Sequence, residues 1–213
     1  MMHCPTTIQL RAGRLVVVKQ RVASQRVATE TEARWLAAAR HPGVVPLRRV
    51  SPATGVLETS HVGLATLRTR PTTPAMAAFI LASVGRILAD LHGQGLIHGN
   101  LAPEHVILTG PHQVIPILCS PRGANHDPRL DVIALSQLAQ TLATQHSLAR
   151  SATAHWRRPH RLWPAVIDEV ATTEGLTAQQ ASRLFDQLGS ARWSNRRAGR
   201  YRSGRRQGRE LRR

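Results

Sequence analysis

Residues 7–20 contain β-branched residues and alternate apolar and polar positions with the two-residue period of β-strands. Around Gly13, β-branched residues on both sides predict a hairpin whose second strand reads LVVVK. Further strands are predicted where short apolar runs are bounded by turn residues. These segments are HPGVVPL (41–47), which turns into a strand, VLETS (56–60), HVIL (105–108) and VIPIL (114–118).

Apolar residues spaced three and four apart predict five helices in the same chain. The predicted helices cover residues 29–40, 75–92, 131–144, 164–173 and 177–188. The first of them, TETEARWLAAAR, begins with a Thr–Glu pattern that is typical of a helix start. Because strands dominate the first part and helices the rest, we predict an α+β fold with two lobes.

Composition narrows the class of protein. The 213 residues are 42% hydrophobic but only 3% aromatic, so the core must be mainly aliphatic. Cys4 and Cys119 are far apart and form no disulfide framework, which suits a reducing compartment. The first residues contain no apolar leader segment, and the most apolar run, residues 76–91, is interrupted by Arg86 and Asp90. We therefore expect a cytoplasmic protein that is not transmembrane.

The net charge of +17 is concentrated at the C-terminal end of the sequence. Residues 192–213 contain ten Arg and one Glu, interrupted by Gly and Ser, which predicts a disordered, solvated tail. The alternative is that the tail binds phosphate groups of a nucleic acid or an anionic membrane. The candidate residues for such contacts are Arg196, Arg197, Arg200, Arg202, Arg205 and Arg206.

Lys19 is the only lysine in the chain, against 28 arginines. It ends the predicted strand LVVVK. A chain that uses Arg elsewhere and keeps one Lys suggests a position where a compact ammonium on a flexible stem is needed.

The order of elements and motifs resembles a protein kinase domain of the bacterial Ser/Thr type over roughly residues 8–190. VVVK resembles the V-A-I-K strand motif, which implies that Lys19 is the lysine that reaches phosphate. Glu32 then matches the helix glutamate that pairs with this lysine, with Glu30 as a fallback. LADLHGQGLIHGNLAPEHVIL resembles the helix that leads into the H-R-D-L-K-P-x-N catalytic loop. DVIALSQLA and EGLTAQQASRLFDQL resemble the central and the last helix of the large lobe.

The departures from the kinase pattern indicate that catalysis is lost. Asn100 stands at the position of the catalytic aspartate, and a neutral carboxamide cannot act as a base. Ala102 replaces the loop lysine, and His105 replaces the loop asparagine that binds Mg²⁺. Counting the family's interval onward from His105 reaches Leu118-Cys119-Ser120 at the D-F-G site, with Leu118 at the position of the second metal-binding carboxylate.

Two further segments of the kinase pattern, the activation segment and the phosphate-binding loop, are shortened or missing. Twelve residues separate Leu118 from Asp131, so the activation segment is short, and neither A-P-E nor G-x-G-x-x-G occurs. His98 and Asp131, in contrast, match residues that in the family tie the catalytic loop to the central helix. The sequence therefore predicts that the kinase-like fold is retained and that the residues for phosphoryl transfer are missing.

These observations predict a pseudokinase that works as a regulatory or scaffolding module for an unidentified protein partner. The expected domains are a reduced β-rich N-lobe (1–60), a mainly helical C-lobe (61–190) and the Arg-rich tail (191–213). No cofactor or metal site is expected, although weak, metal-independent ATP binding at Lys19 and Glu32 is left open. The alternatives are an enzyme with residual or non-standard ATP-dependent transferase activity, and a polyanion binder that acts through the tail.

Overall fold

The computed structural model describes residues 6–110, 114–122, 127–149 and 163–189. Within these ranges the fold is mixed α+β, with a four-stranded antiparallel sheet, a two-stranded sheet and five α-helices. The α+β prediction is confirmed.

The chain begins with the predicted hairpin, formed by β1 (Thr6–Arg11) and β2 (Arg14–Gln20). The turn is Ala12–Gly13, and both residues have positive φ angles, of 47° and 74°. Such a two-residue turn matches the twist of the strands, and Gly13 adopts this conformation without steric cost. The prediction of a hairpin around Gly13 is therefore confirmed.

The sheet is completed by β3 (Leu47–Ser51) and β4 (Val56–Ser60), and its strand order is β1-β2-β4-β3. The central pair, β2 and β4, aligns Lys19 with Leu57. At the turn before β4, Gly55 has a φ of 67°, and a Cβ there would lie 2.3 Å from the carbonyl oxygen of Arg21. Glycine at this position therefore allows the end of β2 to approach the turn closely.

One helix packs beside the sheet. Helix α1 (Arg26–Ala38) begins three residues before the predicted start at Thr29. Its buried residues include Glu32, Trp35 and Leu36, which lie on successive turns of one face. The apolar members of this face join the same buried cluster as the residues of the later helices.

The helical part is built around α2 (Pro74–Gly93), whose Thr73 cap accepts a hydrogen bond from the Met76 amide. Ten of the 20 residues of α2 are buried. The other helices are α3 (Arg129–Ala149), α4 (Trp163–Thr172) and α5 (Ala178–Gly189). All five predicted helices are confirmed, with ends that differ by a few residues.

The two-stranded sheet consists of β5 (Val106–Thr109) and β6 (Ile115–Leu118). It joins the turn before β3 through Leu118, which forms a parallel bridge with Val44. The Leu118 amide donates to the Gly43 carbonyl at 2.8 Å, and the Val45 amide donates to the Leu118 carbonyl at 3.0 Å. The helical part is thereby connected to the four-stranded sheet.

Among the described helices, only α2 is long and apolar enough to cross a membrane by length and composition. Of its most apolar window, 56% is buried inside the protein, as in the core helix of a folded domain. This helix is therefore weak evidence for a membrane span.

Candidate functional site

The predicted partners Lys19 and Glu32 are in direct contact. Lys19 lies near the end of β2 and Glu32 on the buried face of α1, with Nζ and Oε1 2.7 Å apart. The Glu32 side chain is only 2% exposed, so its charge is largely removed from water. Glu30, the fallback partner, is half-exposed and lies 3.9 Å from Arg34 instead.

A second cation that the sequence analysis missed also engages this carboxylate. Arg21 donates from Nη2 to the other Glu32 oxygen, Oε2. Lys19 and Arg21 are two residues apart, so the strand period places both on one face, and this spacing was the signal that could have identified Arg21. Because two cations contact one carboxylate, the cluster of Lys19, Arg21 and Glu32 carries a net positive charge. The Nη1 atom of Arg21 is buried without a hydrogen-bond partner among the described residues.

Lys19 has a further contact with the segment that follows β6. Its Nζ donates to the Ser120 hydroxyl at 2.7 Å, and Ser120 has a positive φ of 58°. The sequence analysis assigned Leu118 to the metal position, but Leu118 is fully buried in the core and the side chain that reaches Lys19 is Ser120. Ser120 is the third residue of the segment Leu118-Cys119-Ser120 that the count from His105 reaches. Neither Leu118 nor Ser120 supplies a carboxylate.

Asn100 helps to hold the loop between α2 and β5. Its side-chain amide donates to the Ser120 carbonyl at 2.8 Å, and its own carbonyl lies 2.7 Å from Nδ1 of His105. The His105 ring is thus used within the loop, and its amide donates to the Ala102 carbonyl at 2.9 Å. Ala102 itself contributes no polar side-chain atom. The contacts of Asn100 and His105 hold the loop's shape, and none of the three residues supplies a carboxylate.

Asp131 fixes the same loop from the first turn of α3. Its carboxylate accepts hydrogen bonds from the backbone amides of His98 and Gly99, both at 2.8 Å. Nε2 of His92, on α2, lies 2.9 Å from the same carboxylate and was not predicted from the sequence. Burial alone would raise the pKa of Asp131, but these hydrogen bonds outweigh burial and hold the pKa below its usual value.

His98 is fully buried beneath α1. Its Nε2 lies 3.1 Å from the Cys119 carbonyl oxygen, and its ring meets Trp35 edge-on, with centroids 5.8 Å apart. The Trp35 indole donates to the Ile97 carbonyl at 2.8 Å, so α1 is joined directly to the loop. Burial lowers the pKa of His98 to about 4, and the ring is therefore neutral at physiological pH.

The donor set limits the chemistry of this site. In the part of the chain that the structure describes, no group of three or more His, Cys, Asp or Glu side chains is placed to hold a metal ion. The buried carboxylates of this site, Glu32 and Asp131, already accept hydrogen bonds from their neighbours, and the third buried carboxylate among the described residues, Glu58, lies on β4 near Arg11. What the site offers a ligand is positive charge and hydrogen-bond donors.

Other predicted features lie elsewhere. The six tail arginines, Arg196 to Arg206, fall outside the described residues. Two adjoining cavities of about 450 and 400 Å³ lie where the start of α3 meets the connection between α4 and α5. Both are lined by Arg129, Val132 and Leu176, and none of the predicted site residues lines either cavity.

Comparison with known proteins gives no further assignment: no protein-family model matches the chain, and a search of the curated proteins finds no match. Function has to be inferred from the residues and their geometry.

Proposed function

We propose that this chain is a degenerate, two-lobed protein-kinase-like domain, a pseudokinase that works as a regulatory or scaffolding module in the cytoplasm. In this proposal the sheet and α1 form a reduced N-lobe, and α2 to α5 form the C-lobe. The proposal keeps the family's structural role for Lys19, Glu32, His98 and Asp131. It assigns no phosphotransferase activity to the site.

The observation that carries the proposal is the set of contacts around Lys19. A strand lysine, a helix glutamate and the residue after the β5–β6 sheet meet in one cluster, although Lys19 and Ser120 are 101 residues apart. The loop from His98 to His105 is tied to Asp131 of a later helix. These are the long-range relations that the kinase resemblance implies, and they involve the motif residues themselves.

The same cluster argues against phosphoryl transfer. That reaction needs a carboxylate to position the attacking group and further oxygen ligands to hold Mg²⁺ beside the phosphates. The nearby side chains are Asn100, His105 and Ser120, and their polar atoms support the loop. Since none of them is a carboxylate, the site lacks the acidic residues that position the attacking group and hold Mg²⁺ in this reaction.

A regulatory role is supported by what surrounds the site. The connection from Leu118 to the start of α3 at Arg129 is too short for a folded substrate platform. This leaves the loop face for a protein partner, and the loop is rigidly held by Asp131. A rigid face without catalytic groups suits a docking module.

Weak, metal-independent nucleotide binding is the second candidate function. The sheet face that carries Lys19 also carries Leu15 and Val17, because alternate residues of a strand share one face. Leu15 is 51% exposed. An apolar strip that ends in a positive charge suits a planar base followed by phosphate.

Thermal unfolding with ATP tests the proposal. We expect any stabilisation by ATP to be the same with and without Mg²⁺ or Mn²⁺ and to disappear in Lys19→Ala. Arg14→Ala, which removes an exposed cation from the same hairpin, is the matched control. A metal-dependent stabilisation that Lys19→Ala abolishes would instead support the alternative of a residual ATP-dependent transferase.

A further inference from the structure

The β1–β2 hairpin carries two exposed arginines side by side. Arg11 stands directly opposite Arg14, at the end of the hairpin, so both side chains lie on one face of the sheet. Arg11 is 47% exposed, and Arg14 is also exposed. Residues 6–20 contain no Asp or Glu, and the nearby carboxylate of Glu58 lies 3.6 Å from Arg11. One carboxylate beside two arginines leaves this face with a positive charge.

This arrangement favours an anionic partner. Like charges directly opposite each other destabilise a pair of strands, and a further carboxylate beside Arg11 and Arg14 would relieve their repulsion. The net charge of +17 acts in the same direction, because it attracts an acidic segment and repels a second copy of the chain.

The other face of the same hairpin is apolar. The register places Ile8 opposite Val17 and Leu10 opposite Leu15, so these four side chains share a face. Ile8 and Leu10, the two on β1, are 46% and 71% exposed. A segment that lies along β1 can therefore contact apolar side chains on one face and arginine on the other.

The backbone of β1 determines the conformation of such a segment. β1 is the first strand in the order β1-β2-β4-β3, and no described strand lies on its outer side. An edge strand presents unpaired N–H and C=O groups, to which an extended peptide adds as a further strand. The opposite edge is blocked, because β3 carries Arg48 and Arg49 and its register is irregular there.

We propose that β1 binds an extended acidic segment of a protein partner, which adds a strand to the sheet. Successive side chains of this strand point to opposite faces. The residues beside Ile8 and Leu10 are then apolar, and the residue beside Arg11 is Asp or Glu, so the segment alternates apolar and acidic residues. The inference rests on the proposed function and deepens it, because it names a segment that the regulatory module binds besides the loop face.

A strand of this kind matches the edge in three respects that a nucleic acid does not combine. Phosphate groups would satisfy Arg11 and Arg14, but a nucleic acid has no peptide backbone to pair with β1 and no aliphatic side chains to cover Leu10. A single strand buries less than the roughly 800 Å² per partner of a typical stable interface. We therefore expect weak and reversible binding.

Fluorescence anisotropy with the full chain and a labelled peptide that alternates Glu and Val tests the proposal. The control peptide has the same composition, with its Glu residues grouped at one end, so it carries the same charge but cannot match both faces. The alternating peptide should bind about tenfold more tightly. Equal affinity for the two peptides would show that charge alone is recognised, as by the Arg-rich tail, and would overturn the proposal.

Variants locate the binding on β1. Leu10→Ser and Arg11→Gln should each weaken binding of the alternating peptide by about tenfold. The matched controls are Val27→Ser and Arg34→Gln, at positions of α1 that are 72% and 77% exposed, and both should bind as the unmodified protein does. Binding that the hairpin variants leave unchanged would contradict the proposal.

A labelled single-stranded DNA identifies the competing occupant. If the DNA binds, Arg11→Gln weakens it and the alternating peptide does not displace it, this face recognises phosphate and the proposal is overturned. Failure of the peptide to bind does not affect phosphate incorporation from ATP, which tests the proposed function. The inference and the proposed function can therefore fail separately.

Discussion

Glu32 shows at the level of one residue how the cluster holds together. Its buried carboxylate is shared by Lys19 from the strand and Arg21 just beyond the strand's end. An isolated buried charge is very costly, and here both carboxylate oxygens have cationic partners. Removing the carboxylate would leave two cations close together without compensation.

We therefore predict that Glu32→Gln lowers the free energy of unfolding by about 3 kcal/mol. Glu30→Gln is the matched control, because Glu30 is half-exposed and its ion pair with Arg34 contributes little. Urea denaturation of both variants measures the difference. Equal stability of the two variants would show that the buried ion pair does not stabilise the fold.

His98 gives a second prediction at the residue scale, on pH. Burial lowers its pKa from 6.5 to about 4, so between these values the unfolded chain binds a proton that the folded chain does not. Stability should therefore fall by about 3 kcal/mol as the pH decreases through this window. The loss due to Asp131 has the same sign but begins only below its usual pKa of 3.8.

Urea denaturation at a series of pH values checks this expectation. His98→Gln should be less stable at neutral pH but should lose less stability between pH 6.5 and 4 than the unmodified protein. A slope that is equal in the unmodified protein and His98→Gln would contradict the assignment.

The kinase resemblance singled out Lys19 and Glu32, with Glu30 as a fallback, and Lys19 contacts Glu32. It placed Ser120 in the segment Leu118-Cys119-Ser120 but did not predict its contact with Lys19. Nor did it predict that His92 lies beside Asp131, since both contacts depend on how the β5–β6 sheet and α2 are placed in three dimensions. Long-range side-chain contacts of this kind leave no local pattern in the chain.

At the scale of elements, α2 and α5 form a close helix pair. A Cβ on Gly85 of α2 would lie 2.9 Å from the Ser182 Cβ on α5, and the Ser182 hydroxyl donates to the Ala82 carbonyl at 2.7 Å. Glycine at this crossing therefore lets the two helices approach each other closely.

We predict that Gly85→Ala destabilises the protein by about 1–3 kcal/mol, because the added methyl group overpacks the crossing. Gly93→Ala, at the other end of the same helix, meets nothing within 4 Å and should be neutral within about 0.5 kcal/mol. Thermal unfolding of the two variants compares them directly. A Gly85→Ala protein as stable as Gly93→Ala would mean that the helices are further apart than described.

Element positions followed well from the sequence, and element ends did not. Periodicity located all five helices, yet α1 begins at Arg26 and α3 continues to Ala149, beyond the predicted end at Thr144. Periodicity detects only the stretch with a buried face, so the start of α1, where no residue before Thr29 is buried, was missed. The short three-residue helical turns, such as Pro103–His105, had no periodic signal at all.

At the scale of the whole molecule, positive charge is concentrated in the Arg-rich tail, residues 192–213. We predict that the full chain binds DNA, RNA or acidic vesicles with an affinity that falls steeply with salt. Deleting residues 192–213 should remove this binding while leaving the melting temperature unchanged. Filter binding at several salt concentrations measures it, and binding that survives the deletion would assign it to another surface.

Two helices of the molecule, α1 and α3, are joined by hydrogen bonds to one loop, the segment between α2 and β5. Trp35 joins α1 to Ile97, and Asp131 joins the same loop to α3, so α1 and α3 are linked through the loop between α2 and β5. In the proposed pseudokinase this loop is a structural joint, and its replaced residues serve its shape. Loss of catalysis and retention of the fold are then compatible.

Phosphate incorporation from labelled ATP tests the absence of catalysis most directly. Purified full-length protein is incubated with Mg²⁺ or Mn²⁺ and general acceptor proteins, beside an Asn100→Ala control. A pseudokinase without the catalytic carboxylate and without carboxylate metal ligands should label neither itself nor any acceptor above that control. Labelling above the control, reduced by Lys19→Ala, would contradict the central claim.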